Sequence, residues 1–218
     1  MPVEPSPALL TWGPNALPVP YVAPWSGERP AVRTLTVRAD GKGLAYTDQR
    51  RDDRDGYGVL WARSGEAPGQ GRPNYRAQHG RRQRVAMLHR LCQVCGGPAD
   101  RNGKGWLFLL ERPGEVGTAG WPEGGLSTKP PVCLPCAGLA LRHCPHLTDP
   151  LLVRCRRPRP WGVFGGFFRP APGGGLVGSD DAHLPYGHPA APWFLASQAV
   201  TELTRCTVTS RDAERIPG

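Results

Sequence analysis

The stretch Leu91-Cys92-Gln93-Val94-Cys95-Gly96, answered by Val132-Cys133-Leu134-Pro135-Cys136 with 37 residues between Cys95 and Cys133, decides how this chain folds. Each Cys-x-x-Cys pair can chelate a metal through one tight knuckle, and two such pairs complete a tetrahedral thiolate set around Zn2+. Gly96 follows the first pair directly and permits the positive φ that turns a knuckle away from the metal. Pro135 and the run Ala137-Gly138-Leu139-Ala140-Leu141 predict that the second pair opens a short helix, whose N-terminal dipole favours thiolate charge. Four thiolates leave no coordination position for water, so the site formed by Cys92, Cys95, Cys133 and Cys136 is expected to be structural rather than catalytic.

Between the two pairs, Trp106-Leu107-Phe108-Leu109-Leu110 reads as a short buried strand, followed by a turn-rich stretch over 112–131. A knuckle, a hairpin strand and a second pair opening a helix is the order of a treble-clef zinc finger. Upstream, residues 76–91 are predicted to be a helix capped by Asn74, with Val85, Leu88 and Leu91 along one side. Gly80 weakens its first turn by about 1 kcal/mol relative to alanine. Eight prolines in the first 30 residues forbid helix there and predict an extended arm packed through Trp12, Tyr21 and Trp25. Residues 32–47 read as a β-hairpin, 57–63 as a third strand, and 64–73 as a Gly/Pro linker. Beyond the second pair, Leu151–Val153 and Trp161–Phe168 look like strands and 170–192 like a loop. Trp193–Leu203 is expected to be a helix leading into a strand that ends near Val208. The fold class is therefore α+β, loop-rich, with short antiparallel strands around a central zinc module. The chain divides into an arm and small β segment (1–73), the zinc module with its preceding basic helix (74–147), and a C-terminal strand/helix segment packed on the rest (148–218).

With 29 glycines and 26 prolines among 218 residues, the chain sits at the edge of the poorly ordered class, and a metal staple would offset its small core. No stretch approaches the ~20 apolar residues of a membrane span, so no membrane partner is expected. The N-terminus MPVEPSPALL lacks a basic region followed by an apolar run, which points to the reducing cytoplasm. There, cysteines at this spacing signify metal or redox chemistry rather than disulfides. The net charge is +9, and residues 76–160, with fourteen basic and five acidic groups, hold the whole excess. Only three of the 27 basic residues are lysine, the arginine bias of a GC-rich bacterial genome.

Around the motif, Arg81-Arg82-Gln83-Arg84-Val85, Leu91 to Gly96, and Pro131 to Cys136 resemble the treble clef of HNH-type endonucleases, over residues 80–147 only. In that family a histidine on the hairpin between the cysteine pairs activates water for phosphodiester cleavage. Residues 96–132 contain no histidine, and their acids (Asp100, Glu111, Glu115, Glu123) are scattered. The resemblance implies the fold and leaves the nuclease mechanism without its base, so no catalytic residue is assigned.

Three further constellations stand out. His143, Cys144, His146 and Cys155 are candidate ligands of a second metal site. Asp180, Asp181, His183 and His188 read as a polar loop. Arg81, Arg82, Arg84 and Arg90 before the finger, and Arg154, Arg156, Arg157 and Arg159 after it, are candidate nucleic-acid contacts. The second group of arginines precedes Trp161, Phe164, Phe167 and Phe168, which either stack on bases or fill the core. The expected function is a non-catalytic, zinc-binding protein whose basic centre meets nucleic acid or an acidic protein partner. The alternatives are a phage- or mobile-element-associated assembly protein, and a divergent HNH-like nuclease using His79, His89, His143 or His146.

Overall fold

Paired prolines and glycines cut the chain into short extended pieces, and the computed structural model assembles them into two principal sheets carrying two helices. It describes residues 9–29, 34–112, 120–144 and 147–216. The arm forms a minimal hairpin, β1 (Thr11–Trp12) with β2 (Leu17–Pro18), then buries Val19, Val22, Ala23 and Trp25. A second hairpin joins β3 (Leu35–Val37) to β4 (Leu44–Tyr46), as the alternation there predicts. The third strand is only β5 (Leu60–Trp61), and it pairs away from that hairpin.

Helix α1 (Gly80–His89) begins later than expected, because His79 rather than Asn74 is its N-cap. Asn74 instead closes a local turn by accepting from the Arg76 amide at 3.0 Å. Next come β6 (Arg101–Asn102), β7 (Gly105–Glu111), β8 (Leu126–Ser127) and helix α2 (Leu134–His143). The chain ends in β9 (Pro150–Cys155), β10 (Arg159–Pro170), β11 (Leu176–Pro185), β12 (Phe194–Glu202) and β13 (Cys206–Thr209).

Among the described residues, one sheet has the order β11-β10-β12-β5, with β8 also pairing on β12; the other has the order β13-β9-β7-β6. Strand β5, from the first segment, lies parallel to β12, and β9, from the last, lies antiparallel to β7 in the middle. The α+β class is thus as expected, while two assignments differ. Residues 176–185 are a strand, not a loop: β11 pairs along β10 at an exposed edge, so its outward residues are polar and lack an apolar signature. Residues 194–202 are a strand, not a helix: β12 is buried on both sides, and Phe194, Leu195 and Ala196 form a continuous apolar run without period-two alternation.

The buried face of α1 is Arg82, Gln83, Ala86 and Met87, whereas Leu88 is 57% exposed, so the expected Val85–Leu88–Leu91 stripe is not the packing face. The reason is what the helix meets. Strand β12 pairs with β5 at Leu195–Ala196 and with β8 at Thr201–Glu202, leaving Ala199 between them without a strand partner on that edge. The Gln83 side chain takes the vacant place. Its Oε1 accepts from the Ala199 amide at 2.8 Å, and its Nε2 donates to the carbonyls of Ala199 and Thr128 at 2.9 and 2.7 Å. Gly80 permits this approach, since a Cβ there would lie 2.6 Å from the Ser197 carbonyl oxygen.

On the other side, Arg82 ties α1 to the arm. Its guanidinium meets Glu28 at 2.5 and 2.8 Å and donates to the carbonyls of Tyr21 and Ala23. Burial alone would raise the Glu28 pKa, but Arg82 and the amides of Trp25 and Ala67 outweigh it and bring the carboxyl from 4.5 to about 2. A depressed carboxylate stabilises the fold above its unfolded pKa, and that contribution is lost as pH falls towards the folded one. Acid titration of unfolding free energy should therefore show a loss of about 3 kcal/mol between roughly pH 4.5 and pH 2, and Glu28→Gln should flatten that limb. No helix among the described residues is long and apolar enough to cross a membrane.

Candidate metal centre and basic surface

Leu91 bridges Pro98, and inside that loop the Cys92 amide donates to the Gly97 carbonyl at 2.6 Å while the Gly96 amide donates back to Cys92 at 2.9 Å. Gly96 takes φ +71°, and the Tyr21 ring would stand 3.0 Å from any Cβ at that position. The arm braces this knuckle, with Tyr21 and Val22 amides donating to the carbonyls of Val94 and Gln93. Strands β6 and β7 come next as a tight hairpin. Val132 then donates to Leu107, and Gln93 to Pro131, which sets the second pair beside the first. Cys133 is the N-cap of α2 and Cys136 lies in its first turn, so helix geometry aims both sulfurs at the knuckle.

The four sulfurs of Cys92, Cys95, Cys133 and Cys136 all lie within 4.8 Å of one another, close enough to share a metal ion. Cys95 and Cys133 Sγ are 3.9 Å apart, against about 3.8 Å for two thiolates each 2.3 Å from a tetrahedral zinc. Cys92 and Cys136 are buried in a cluster with Val94, Leu107, Leu109, Val132, Ala137, Leu152 and Ile216. The sulfurs share protons unequally. Hydrogen bonds from neighbouring thiols bring Cys133 down to about 7, chiefly through Cys136, and hold Cys95 well below the usual thiol range, chiefly through Cys133. The same contact with Cys133 pushes Cys92 and Cys136 up. Backbone amides add to the anionic preference: those of Cys95 and Gly97 act on the sulfurs of Cys92 and Cys95. A soft divalent cation fits this set of four thiol donors.

Among the described residues, the second group of candidate ligands is not brought together. Cys155 lies in β9 within a different cluster, donating to the Thr204 carbonyl at 3.2 Å, while His143 and Cys144 end α2; His146 lies outside the described residues. A trio not foreseen from sequence, Glu28, Glu66 and His79, also places ligand atoms within 4.8 Å. Its cation is already present as Arg82, and His79 is engaged at both ring nitrogens, with Gly65 carbonyl at 2.9 Å and the Arg82 amide at 3.4 Å. His89 sits in the exposed last turn of α1. Of the Asp/His set, Asp180, Asp181 and His183 lie on β11, where His183 packs against Phe164 at 5.0 Å, and His188 holds the following turn.

The candidate arginines divide. Arg82 and Arg154 are buried and do not face solvent. Arg154 is clamped by Glu214 and by Asp100 at 2.6 Å, and donates to Gly105 carbonyl at 3.1 Å. Burial alone would lower its pKa, but those two carboxylates outweigh the desolvation and raise it. Arg84 lies over Trp61, and Arg90 donates to the carbonyls of Met87 and Pro158. Arg81 is exposed beside Glu66 at 3.6 Å. Arg156, Arg157 and Arg159 are exposed at the corner joining β9 to β10.

Three turns meet at that corner. Arg156 donates to the Gly103 carbonyl in the β6–β7 turn at 2.7 Å, and its amide bonds Arg205 in the β12–β13 turn. Arg101, Lys104 and Arg205 thereby join Arg156, Arg157 and Arg159 on one end of the second sheet, and all six are exposed. Trp106 stands half-buried beside them, with Arg101 4.3 Å from its ring. Arg101, Lys104 and Arg205 carry no signal in the sequence because they are scattered along it, and only the sheet order unites them. Of the aromatics, Phe167 packs on Phe194 at 4.8 Å and Phe168 on the cluster around Leu44, whereas Trp161 and Phe164 remain half-buried beside His183. No family model, curated protein or solved structure matches this chain.

Proposed function

We propose that the chain is a non-catalytic zinc-binding module: Cys92, Cys95, Cys133 and Cys136 hold a structural Zn2+ in a treble-clef arrangement, and the basic end of the second sheet grips the phosphate backbone of a nucleic acid. The order of knuckle, β6–β7 hairpin and α2 supports the treble-clef reading, and a full set of four thiolates supports a structural metal. The observation that carries the binding role is the convergence of Arg101, Lys104, Arg156, Arg157, Arg159 and Arg205 from three separate turns. Of the nearby acids, Glu123 is bonded to the amides of Arg205 and Cys206, Asp100 is paired with Arg154, and Glu202 lies opposite Arg159 across β10 and β12. Six cations on one surface match a polyanion better than a compact acidic patch, and Trp106 offers a ring face beside them.

Titrating single-stranded and duplex nucleic acid against salt tests this reading. Log affinity should fall linearly with log salt, and Arg156→Ala and Arg159→Ala should each reduce the slope by about 1 while leaving Tm unchanged. Absence of binding, or binding indifferent to salt, contradicts it. Tighter binding to an acidic polypeptide than to either nucleic acid would transfer the surface to a protein partner.

A further inference from the structure

Two thiols outside the metal centre face each other across a strand pair. Cys155, the last residue of β9, is opposite Cys206, the first of β13. The Arg156 amide donates to the Arg205 carbonyl, so the hydrogen bonds run between the flanking residues and not between the cysteines. This is the non-hydrogen-bonded antiparallel position, where opposed Cα atoms stand about 4.5 Å apart, inside the roughly 4.4–6.8 Å span of disulfides. Each sulfur rests on a backbone carbonyl, Cys155 on Thr204 at 3.2 Å and Cys206 on Pro122 at 3.8 Å, bonds weak enough to be given up on closure. Cys155 is fully buried in a cluster with Phe108, Val153 and Leu203, and Cys206 is half-buried against the same cluster. Together with the metal centre, this pair assigns six of the seven cysteines.

We propose that Cys155 and Cys206 are a disulfide-forming pair, closed by exchange with a low-molecular-weight disulfide, that fastens β13 to β9. Cys206, the accessible partner, loses its proton to solvent and attacks one sulfur of the small disulfide, whose S–S bond breaks and releases one thiol. Cys155 then gives up its proton and attacks Cys206 sulfur, forming the protein S–S bond and releasing the second thiol. Two protein S–H groups are oxidised and one small disulfide is reduced to two thiols. Fastening β13 also restrains the segment C-terminal to it. After β13 the chain turns through Ser210–Arg215, placing Glu214 on Arg154 and Ile216 in the cluster around Cys92 and Cys136. Closing the pair would therefore pin the C-terminal turn against the metal centre.

The test exposes the full-length, zinc-loaded chain to glutathione disulfide, quenches by alkylation under denaturing conditions, and maps peptides without reduction. A Cys155–Cys206 cross-linked peptide, unchanged zinc content, and a Tm raised by roughly 5–10 °C and reversed by dithiothreitol are expected. Cys206→Ala should keep zinc and lose both the cross-link and the Tm rise. Recovery of both cysteines alkylated, a stable glutathione adduct on Cys206 with Cys155 still free, or cross-links to Cys92, Cys95, Cys133 or Cys136 instead, would each overturn the proposal.

Discussion

Replacing Cys92 or Cys136 by serine should leave the chain unfolded at room temperature, with lost chemical-shift dispersion and a featureless thermal scan. These two sulfurs are buried in the same cluster as Leu107, Leu109, Val132 and Leu152, so a metal held by them would form together with one of the hydrophobic cores. Structural zinc in small fingers supplies about 10–16 kcal/mol, whereas a whole domain is stable by about 5–15 kcal/mol, and loss of the ion cannot be absorbed. Chelation of the wild type should give the same result without any mutation. Two controls separate metal loss from packing loss: Cys144→Ser, at the end of α2 and outside the metal group, should keep both zinc and fold, and zinc should refold the chelated wild type. A Cys92→Ser chain that remained folded would contradict a structural role for the metal.

Arg154→Met should cost roughly 3–5 kcal/mol in urea unfolding, because it leaves the buried Glu214 carboxylate without its ion-pair partner. Glu214 is buried, and Arg154 meets it through both Nε and Nη2. Asp100 loses its ion pair and the Gly105 carbonyl its donor. The double change Arg154→Met with Glu214→Met should recover much of that loss, since a buried pair replaced by apolar side chains is often neutral or better. Arg156→Met, two residues away and exposed, should change stability by less than about 0.5 kcal/mol and weaken nucleic-acid binding instead. Equal effects of the two substitutions on stability would contradict the division of the arginines into clamps and surface groups.

That division shows what sequence could and could not convey. The four-cysteine cluster is legible because each Cys-x-x-Cys turn carries its own local geometry, and only the meeting of the two turns needs the fold. The α2 helix is legible for the same reason, through Pro135 and the apolar run after it. Arg154 and Arg156 are not distinguishable in a run of basic residues. Arg154 is still within β9, between β13 and β7, while Arg156 is past the strand end. Arg82 and Gln83 mislead differently, for they are polar residues on the buried face of α1, drawn there by backbone carbonyls of the arm and of β12 that no sequence pattern reveals. Strand β11 is hidden by its exposed edge position and β12 by burial on both faces, two ways of erasing period-two alternation.

Cys92, Cys95, Cys133 and Cys136 should hold one zinc ion with no other ligand. Zinc-edge X-ray absorption on the purified, zinc-loaded wild type tests it most directly. A shell of four sulfurs at about 2.3 Å, with one zinc per chain, is the predicted result; a shell containing nitrogen or oxygen, or a chain that folds without retaining zinc, would contradict it.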